Sequence, residues 1–398
     1  MPEVFQASPQ PTLGVEWELA FVDKQTRNTV PVAGAALDII ADRKPEHPIQ
    51  REFLENTVEL VTGVHHDVGG AMADLAGQVD LVYQAADELG VDVWTSGSHP
   101  FARGTSLEVS PKSAYGEIIN RTQWWGRQMI IWGVHVHVGI PHQDRVWPII
   151  QALLTNLPHL LAVSGSSPAF NGEDMGYASN RSLLYQQLPT AGLPPDIYQW
   201  QQWLDYMRDQ SRSGVINHTK SMHLDIRPAS KYGTIEVRVS DSPTNMQELE
   251  SIVALTHALV VYYNNLLDQG KPLPSLQPWH NAENKWRAAR YGMDALLIVN
   301  RDTDERWVKD EIPALLQQLE PTAEQLNCVE QMMNLTRIID HGAAYQRQRK
   351  AAQAAGALPS LAPEAEVRER EAELGHTPWV AAVDLAVREL QAGKPLAK

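Results

Sequence analysis

The chain has 398 residues, 43% of them hydrophobic and 20% charged, which is enough to bury a sizeable core in one large domain or two ordinary ones. Its 48 acidic residues outnumber its 33 lysines and arginines, and the formal net charge is −15. Nucleic acid is therefore not an expected partner, because binding to it depends on clustered cations. A single cysteine, Cys328, excludes an internal disulfide framework and fits a packed thiol in a helical segment.

Two features of the sequence argue against insertion into a membrane. The first residues lack a basic region that leads into an apolar run, so no secretory signal is expected. Residues 146–172 contain no Asp, Glu, Lys or Arg, but Gln151, Asn156 and Pro158 interrupt them, and a buried helix fits better than a membrane span. The expected location is the cytoplasm, with no membrane partner.

Strand and helix patterns alternate along the chain without a strict βαβ rhythm. Strands are predicted at 13–23, 56–62, 91–97, 105–110, 132–140, 221–228 and 233–241. Helices are predicted at 69–89, 148–163, 196–211 and 245–268, and nearly throughout after 281. This mixture predicts an α+β fold with a largely antiparallel sheet. We expect a single catalytic domain over 1–356 and a C-terminal helical tail over 357–398, which begins with the loop Ala-Leu-Pro-Ser-Leu-Ala-Pro.

The first strand, G-V-E-W-E-L-A-F-V-D, has an apolar face and an acidic face. Successive side chains of a strand alternate, so Val15 and Trp17 share one face while Glu16 and Glu18 share the other. Two adjacent carboxylates repel each other unless a cation or solvent relieves them. The next strand segment, F-L-E-N-T-V-E-L-V-T-G, places two more glutamates four residues apart, and we expect them to share a face in either a strand or a helix: Glu55 and Glu59.

Three later strands repeat this alternation. In G-V-H-V-H-V-G-I-P, His135 and His137 share the face opposite Val134, Val136 and Val138. The other two strands have polar faces made of His223, Asp225 and Arg227 in one, and of Thr234, Glu236 and Arg238 in the other.

The polar faces of these five strands allow two interpretations. An antiparallel sheet with one solvated face has alternating strands without any function. Solvated faces usually carry Thr, Lys, Ser and Gln, however, whereas these five repeat acids, histidine and arginine and nearly avoid lysine. We therefore favour convergence on one site. Carboxylates suit Mg²⁺ or Mn²⁺, and arginines suit phosphates and carboxylates, so the site is typical of a metal–nucleotide complex. No G-x-x-x-x-G-K-[ST] loop occurs, so metals and arginines would have to hold the phosphates.

The loop S-G-S-S-P-A-F-N-G-E-D-M-G-Y-A-S-N-R-S, residues 164–182, is rich in turn residues and contains Arg181. It fits a plain connection and closure over a ligand equally well.

At this point the motifs resemble those of the bacterial carboxylate–amine ligases of the glutamate–cysteine ligase type 2 family. The matching stretches occur in family order between about residues 12 and 300: T-L-G-V-E-W-E-L-A-F-V-D, H-V-H-V-G-I-P, the loop 164–182, L-P-T-A-G-L-P-P, D-I-R-P, G-T-I-E-V-R-V-S-D and N-K-W-R-A-A-R-Y-G. Two positions depart from the family pattern. Trp17 stands where a third glutamate is usual and falls on the buried face, and Met222-His223 stands where aromatic residues are common, which bears on substrate choice.

The resemblance implies a glutamine-synthetase-like fold, with a curved antiparallel sheet, the site on its concave face and helices behind it. It also implies ATP, Mg²⁺ or Mn²⁺, and amide formation through an acyl phosphate between glutamate or a similar carboxylate and cysteine or another amine. The residues carried over as metal ligands are Glu16, Glu18, Glu55, Glu59, His137 and Glu236. His135 lies beside them as a cofactor-binding candidate, and the candidates for phosphate or substrate carboxylate are Arg181, Arg227 and Arg238.

Two rival functions remain open at this point. His-x-His on a strand is also a familiar zinc pair, so a zinc-dependent hydrolase is the first alternative. A catalytically silent nucleotide or metabolite binder on the same scaffold is the second. We expect an exposed amphipathic helix near the C-terminus, with Val380, Val383, Leu385 and Leu390 on its apolar face, and such a helix would allow a homodimer.

Overall fold

The computed structural model describes residues 4–104, 108–110, 113–216 and 222–396. Strands in these segments are β1 (Leu13–Asp23), β2 (Ile49–Arg51), β3 (Thr57–Val61), β4 (Val91–Trp94), β5 (Val134–Gly139), β6 (Ala169–Phe170), β7 (Glu173–Asp174), β8 (Ile226–Ala229), β9 (Thr234–Val237), β10 (Leu296–Ile298) and β11 (Glu305–Trp307). Helices are α1 (Ala33–Asp42), α2 (Val68–Leu89), α3 (Ser113–Thr122), α4 (Trp124–Arg127), α5 (Gln143–Leu153), α6 (Leu157–Ser164), α7 (Asn180–Tyr185), α8 (Trp200–Arg212), α9 (Met246–Asp268), α10 (Pro278–Tyr291), α11 (Val308–Gln325), α12 (Val329–Met333), α13 (Thr336–His341), α14 (Ala344–Ala354), α15 (Glu364–Leu374) and α16 (Val380–Ala392).

Seven strands form one antiparallel sheet in the order β2-β3-β1-β5-β9-β8, with β4 attached to β1 outside this path. The long strand β1 organises the sheet because different parts of it have different partners. Its residues Leu13–Trp17 pair with β5, and Ala20–Asp23 pair with β4. This arrangement is the predicted α+β class with an antiparallel sheet.

The aliphatic face of the sheet is buried in the main hydrophobic core, together with helices α2 and α9. Helix α2 begins where Asp67 accepts a hydrogen bond from the Gly70 amide (2.8 Å) and ends at Gly90, whose φ of 71° is left-handed. Helix α9 begins where Asn245 accepts from the Glu248 amide at 3.0 Å. With one face of the sheet covered in this way, the polar side chains remain on the other.

Several predicted boundaries were wrong. The predicted helix 148–163 is two helices, α5 and α6, which meet at an angle of 61°. Pro158 lies in the first turn of α6, where its missing N–H costs nothing. The region after 281 also contains the hairpin β10–β11. Of the predicted strand 105–110, residues 105–107 lie outside the described segments, and Val109 makes an isolated bridge to Leu54.

The C-terminal helix α16 packs within the chain against β4 and α14. Val383 and Leu390 are buried, so the expectation that the apolar face of this helix is exposed was wrong. Glu389 of α16 binds the buried guanidinium of Arg347 in α14, which also binds Glu248 in α9. The helix is therefore joined to the body of the protein by both apolar and charged contacts. The domain boundary at 356 stays a prediction.

Among the described residues, no single helix is both long and apolar enough to cross a membrane. The pair α5 and α6 passes that test only when the two bent helices are counted together.

Candidate functional site

A cleft of roughly 720 Å³ opens over the polar face of the sheet. The structure brings nine of the ten predicted site residues to its walls: Glu16, Glu18, Glu59, His135, His137, Arg181, Arg227, Glu236 and Arg238. The remaining one, Glu55, is not in the lining.

Strand register explains why these side chains meet. Glu16 lies opposite His135 across the β1–β5 pair, and His137 lies opposite Glu236 across the β5–β9 pair. Arg227 in turn lies opposite Glu236 across the β8–β9 pair. Side chains directly opposite each other in an antiparallel pair project from the same face, a few ångströms apart. Four strands thus place acid, histidine and arginine side by side.

The two histidines share the carboxylate of Glu16. His135 Nδ1 lies 2.8 Å from Glu16 Oε2, and His137 Nε2 lies 3.3 Å from Glu16 Oε1. Burial opposes ionisation of Glu16, but its close contacts and charge interactions with both histidines outweigh burial and hold its pKa well below the usual range. Burial, helped by the charge of Arg238, lowers the pKa of His135 to about 4. For His137 burial is outweighed by the charges of Glu236 and Glu16, which raise its pKa.

Glu18 and Glu59 form a second group of carboxylates in the cleft. Glu18 faces Glu59 across the β1–β3 pair and accepts a hydrogen bond from the Gly133 amide. Burial, followed by the charge of Glu52, raises the pKa of Glu18 to about 8. Burial and the charges of Glu52, Glu16 and Glu18 raise the pKa of Glu59 well above its usual range. Negative charge at this place is costly in the protein alone, and a bound cation would relieve it.

These residues fit a divalent cation. Ligand atoms of Glu16, His137 and Glu236 lie within 4.8 Å of one another, and so do those of Glu16, Glu59 and His135. His137 Nε2 is buried and has no hydrogen-bond partner among the described residues, although Glu16 is close by. Two of the three ligands in each group are carboxylates, which Mg²⁺ and Mn²⁺ prefer, whereas the imidazole in each group is more typical of Zn²⁺ and other transition metals.

Two arginines surround Glu236. Arg227 binds its carboxylate at two points, Nε to Oε2 at 2.7 Å and Nη2 to Oε1 at 3.2 Å. Arg238 also donates to Oε1 and donates through Nη2 to the hydroxyl of Tyr185 at 3.0 Å. Burial raises the pKa of Glu236, but the charges of the two arginines outweigh it and hold that pKa well below its usual range. One carboxylate between two guanidiniums leaves this end of the cleft cationic, as an anionic substrate requires.

Arg181 is buried beneath this end of the cleft. Its Nη1 donates to the backbone carbonyls of Arg238 (3.2 Å) and Val239 (3.3 Å). Gly133 makes room for it, because a Cβ at that position would come within 2.2 Å of Nη2. The guanidinium therefore binds backbone as well as lining the cleft, and contact with a substrate stays a prediction.

The expectation that Glu55 and Glu59 share a face was wrong. Strand β3 begins only at Thr57, and a turn precedes it, so the four-residue spacing does not run along one regular element. The carboxylate of Glu55 pairs with Arg51 instead. Glu52, and not Glu55, lines the cleft, and its negative charge acts on Glu59.

Sequence reasoning misplaced one residue near the site and missed two others. Asp225, predicted to share a face with Arg227, is not in the cleft lining and binds the buried Lys285 of α10 at 2.5 Å. Tyr185 and Asp241 were not singled out, since a tyrosine in a short helix and an aspartate after a strand have no pattern of their own. The loop 164–182 is mostly buried and is bound to Asp241 through Ser166, Ser167 and Ser179, as a packed element.

Comparisons with known proteins agree with this geometry. The model of glutamate–cysteine ligase family 2 matches residues 12–365. A Corynebacterium efficiens protein that carries the name "Putative glutamate–cysteine ligase 2-1" is 55% identical over 392 residues, 98% of each chain. A "Putative glutamate–cysteine ligase 2" of Corynebacterium glutamicum (strain R) is 56% identical over 392 residues, 98% of this chain and 99% of the relative.

Among solved structures, the glutamate–cysteine ligase of Francisella tularensis in complex with AMP is similar in fold. The TM-score is 0.62 at 16% identity, over 99% of this chain and 97% of that one. The expected glutamine-synthetase-like α+β fold is confirmed. The chain therefore belongs to glutamate–cysteine ligase family 2 and, with it, to the carboxylate–amine ligases.

Proposed function

We propose that this protein is an ATP-dependent ligase that joins glutamate or a similar acid to cysteine or another amine through an acyl phosphate. The observation that carries the proposal is the division of one cleft into an acidic half around Glu16, Glu18 and Glu59 and a cationic half around Arg227 and Arg238. An ATP–metal complex needs both halves: carboxylates for the metal and guanidiniums for phosphate. Similarity to a ligase solved with AMP supports the nucleotide.

In the proposed reaction, an oxygen of the substrate carboxylate attacks the γ-phosphorus of ATP, and the bond from that phosphorus to the bridging oxygen of ADP breaks. The amine nitrogen then attacks the acyl carbon, phosphate leaves, and the nitrogen loses a proton. The enzyme needs no nucleophile of its own, so its contribution is to position the reactants and neutralise charge.

Residues of this chain have distinct parts in that scheme. Arg238 and Arg227 both bind the carboxylate of Glu236, and they would bind the phosphoryl group either instead of that carboxylate or in addition to it. Glu16 and Glu59, with the two histidines of β5, would hold Mg²⁺ or Mn²⁺. A metal ion bound there would neutralise charge on the phosphates of ATP.

The cleft also has an apolar wall, which suits the nucleotide base or an apolar part of a substrate. It is formed by Phe53, Leu54, Ile118, Met129, Ile131 and Leu188. The sequence departure at Met222-His223 concerns the same space, because His223 lines the cleft and its Nδ1 lies 2.9 Å from the hydroxyl of Thr190.

The experiment is a coupled phosphate-release assay with Mg–ATP, glutamate and a panel of amines that includes cysteine. A ligase releases phosphate only when acid and amine are both present. Release with neither substrate, or turnover that depends on one tightly held zinc ion in metal analysis, would favour the hydrolase. Binding of ATP without release over the whole panel would favour the silent binder.

A second measurement tests the acyl phosphate. With ATP, Mg²⁺ and the acid alone, ¹⁸O placed in the β,γ-bridging oxygen should scramble, because bound ADP can rotate its β-phosphate before ATP re-forms. Arg238→Lys keeps the charge but loses the two-point contact of a guanidinium, and scrambling should slow markedly. Scrambling that strictly requires the amine would contradict a separate acyl phosphate step.

A further inference from the structure

Asp241 is a completely buried carboxylate close to the cleft but outside its lining. Its Oδ2 accepts from the backbone amide of Ser166 at 3.0 Å and from the hydroxyl of Ser167 at 2.6 Å. Its Oδ1 accepts from the hydroxyl of Ser179 at 2.7 Å. Gly97 leaves the space for this carboxylate, because a Cβ there would lie 2.3 Å from Oδ2. One side chain that follows β9 thus holds both ends of the loop that leads to α7.

The bonds continue from Asp241 into helix α7. Ser179 is the N-cap of that helix, and its oxygen accepts from the Ser182 amide at 3.2 Å while its hydroxyl donates to Asp241. The oxygen of Ser167 accepts from the Arg181 amide at 3.1 Å while its own hydroxyl donates to Asp241. Each hydroxyl donates once and accepts once, so both are satisfied only when an acceptor occupies the position of Asp241.

Two side chains of α7 then reach Arg238 from different directions. Arg181 donates to the backbone carbonyl of Arg238, and Tyr185 accepts from its guanidinium. The guanidinium of Arg181 also lies over the ring of Tyr185, 5.5 Å from its centre. Helix α7 therefore contributes, together with Glu236, to the orientation of Arg238 in the cleft.

We propose that Asp241 is a positioning residue of the ligase: it fixes the start of α7 and, through Arg181 and Tyr185, the orientation of Arg238. The consequence for turnover rests on the proposed function, whereas the consequence for α7 does not. Asp241→Ala removes three acceptor contacts and leaves two hydroxyls and one amide unpaired. Ser179→Ala removes one of these three contacts together with the cap contact to the Ser182 amide, and it serves as the milder variant if Asp241→Ala does not fold.

The matched control is Glu389→Gln. This glutamate is also buried and hydrogen-bonded, but its partners are Arg347, the Thr244 hydroxyl and the Leu396 amide, and among the described residues none of these lies in α7. If turnover merely follows stability, the control should lose as much activity as an Asp241 variant with the same melting temperature.

Hydrogen exchange of the 179–187 segment gives the direct readout. We expect exchange to accelerate at least tenfold in Asp241→Ala and measurably in Ser179→Ala, and to stay at the wild-type rate in Glu389→Gln. Unchanged exchange of α7 in both variants would overturn the positioning role, whether or not the protein is active.

Turnover gives the second readout. Asp241→Ala should lower kcat at least tenfold, and the loss should not add to that of Tyr185→Phe, because both act on Arg238. Fully additive losses would overturn the proposed connection through α7. If wild-type protein released no phosphate with any acid and amine, the proposed function would fail, and the exchange measurement would still decide the role of Asp241.

Discussion

Glu18 and Glu236 face the same cleft in opposite electrostatic surroundings, so the same substitution should change stability in opposite directions. Burial, followed by the charge of the neighbouring Glu52, raises the pKa of Glu18 to about 8. Glu236 lies between Arg227 and Arg238, which outweigh burial and lower its pKa. In metal-free protein, Glu18→Gln should stabilise the fold and Glu236→Gln should destabilise it.

The size of the first effect follows from the pKa of Glu18. Relative to the usual value of 4.5, a pKa of about 8 in the folded protein makes ionisation costly. Below a pH of 4.5, Glu18 is protonated in both the folded and the unfolded protein and costs no stability. As the pH rises from there towards about 8, the unfolded protein ionises first, and the folded state loses stability relative to it. At about pH 7 keeping Glu18 protonated in the fold, while the unfolded chain ionises, costs about 3 kcal/mol, since each pKa unit corresponds to about 1.4 kcal/mol. Glutamine avoids it, and we expect a gain of about 1–3 kcal/mol.

The size of the second effect follows from the broken ion pairs. Glu236 is 2% exposed and binds Arg227 at two points, with a further bond from Arg238. Removing one partner of a buried pair leaves an uncompensated charge and typically costs about 3–5 kcal/mol. Both substitutions should lower turnover by around 10²-fold, which is typical of the loss of one electrostatic stabiliser. Stability and activity thus separate for Glu18.

The assay is urea unfolding in excess chelator at about pH 5, 7 and 8. The free-energy gain of Glu18→Gln should grow with pH, whereas Glu236→Gln should be less stable throughout. Glu283→Gln is the control, because Glu283 is 44% exposed in its pair with Arg287 and surface changes usually alter stability by less than about 0.5 kcal/mol. Loss of stability in Glu18→Gln, or a Glu236→Gln variant as stable as wild type, would refute the reasoning.

Three further predictions follow from other parts of the molecule. Activity should require Mg²⁺ or Mn²⁺ and should not return with Zn²⁺ alone; full activity in excess chelator would contradict the acidic site. Deleting residues 357–398 should abolish cooperative thermal unfolding, because the deletion removes Glu389, which binds the buried Arg347, and exposes the hydrophobic cluster that α16 covers. Deleting only residues 394–398 should lower the melting temperature slightly. Burial lowers the pKa of His159 to about 4, so stability that is present above its usual value of 6.5 is lost as the pH falls towards 4. Going from about pH 7 to 5 should cost about 2 kcal/mol at this residue, and His159→Phe should remove that part of the acid sensitivity in urea titrations; an unchanged pH slope would show that His159 is not neutral in the fold.

Strand alternation made much of the site readable from sequence. Because the side-chain period of a strand is two, Glu16 and Glu18 had to share a face, as did His135 and His137. The inference needed no knowledge of neighbouring strands. It failed for Glu55, where a turn interrupts the period before β3. Long helices with clear caps, such as α9, were also predictable within a residue or two.

The partners of these residues depended on tertiary structure. Within the order β2-β3-β1-β5-β9-β8, strand β1 pairs with β5, which is more than a hundred residues away, and no local pattern specifies that Glu16 lies opposite His135. The same is true of Glu236: the family resemblance implied a metal ligand, and only the fold shows that Arg227 of the neighbouring strand β8 binds its carboxylate.

Burial was the other property that only the folded chain decided. The apolar face of α16 could be predicted from its periodicity. That this face packs against β4 in a hydrophobic cluster could not be predicted. Asp241 follows a strand like many surface aspartates, yet the loop 164–182 folds over it and leaves it no solvent. Alternation and amphipathicity are local consequences of backbone geometry and can be read along the chain. Pairing, burial and the resulting pKa values depend on which distant segments meet, and these are set by the packing of the whole protein.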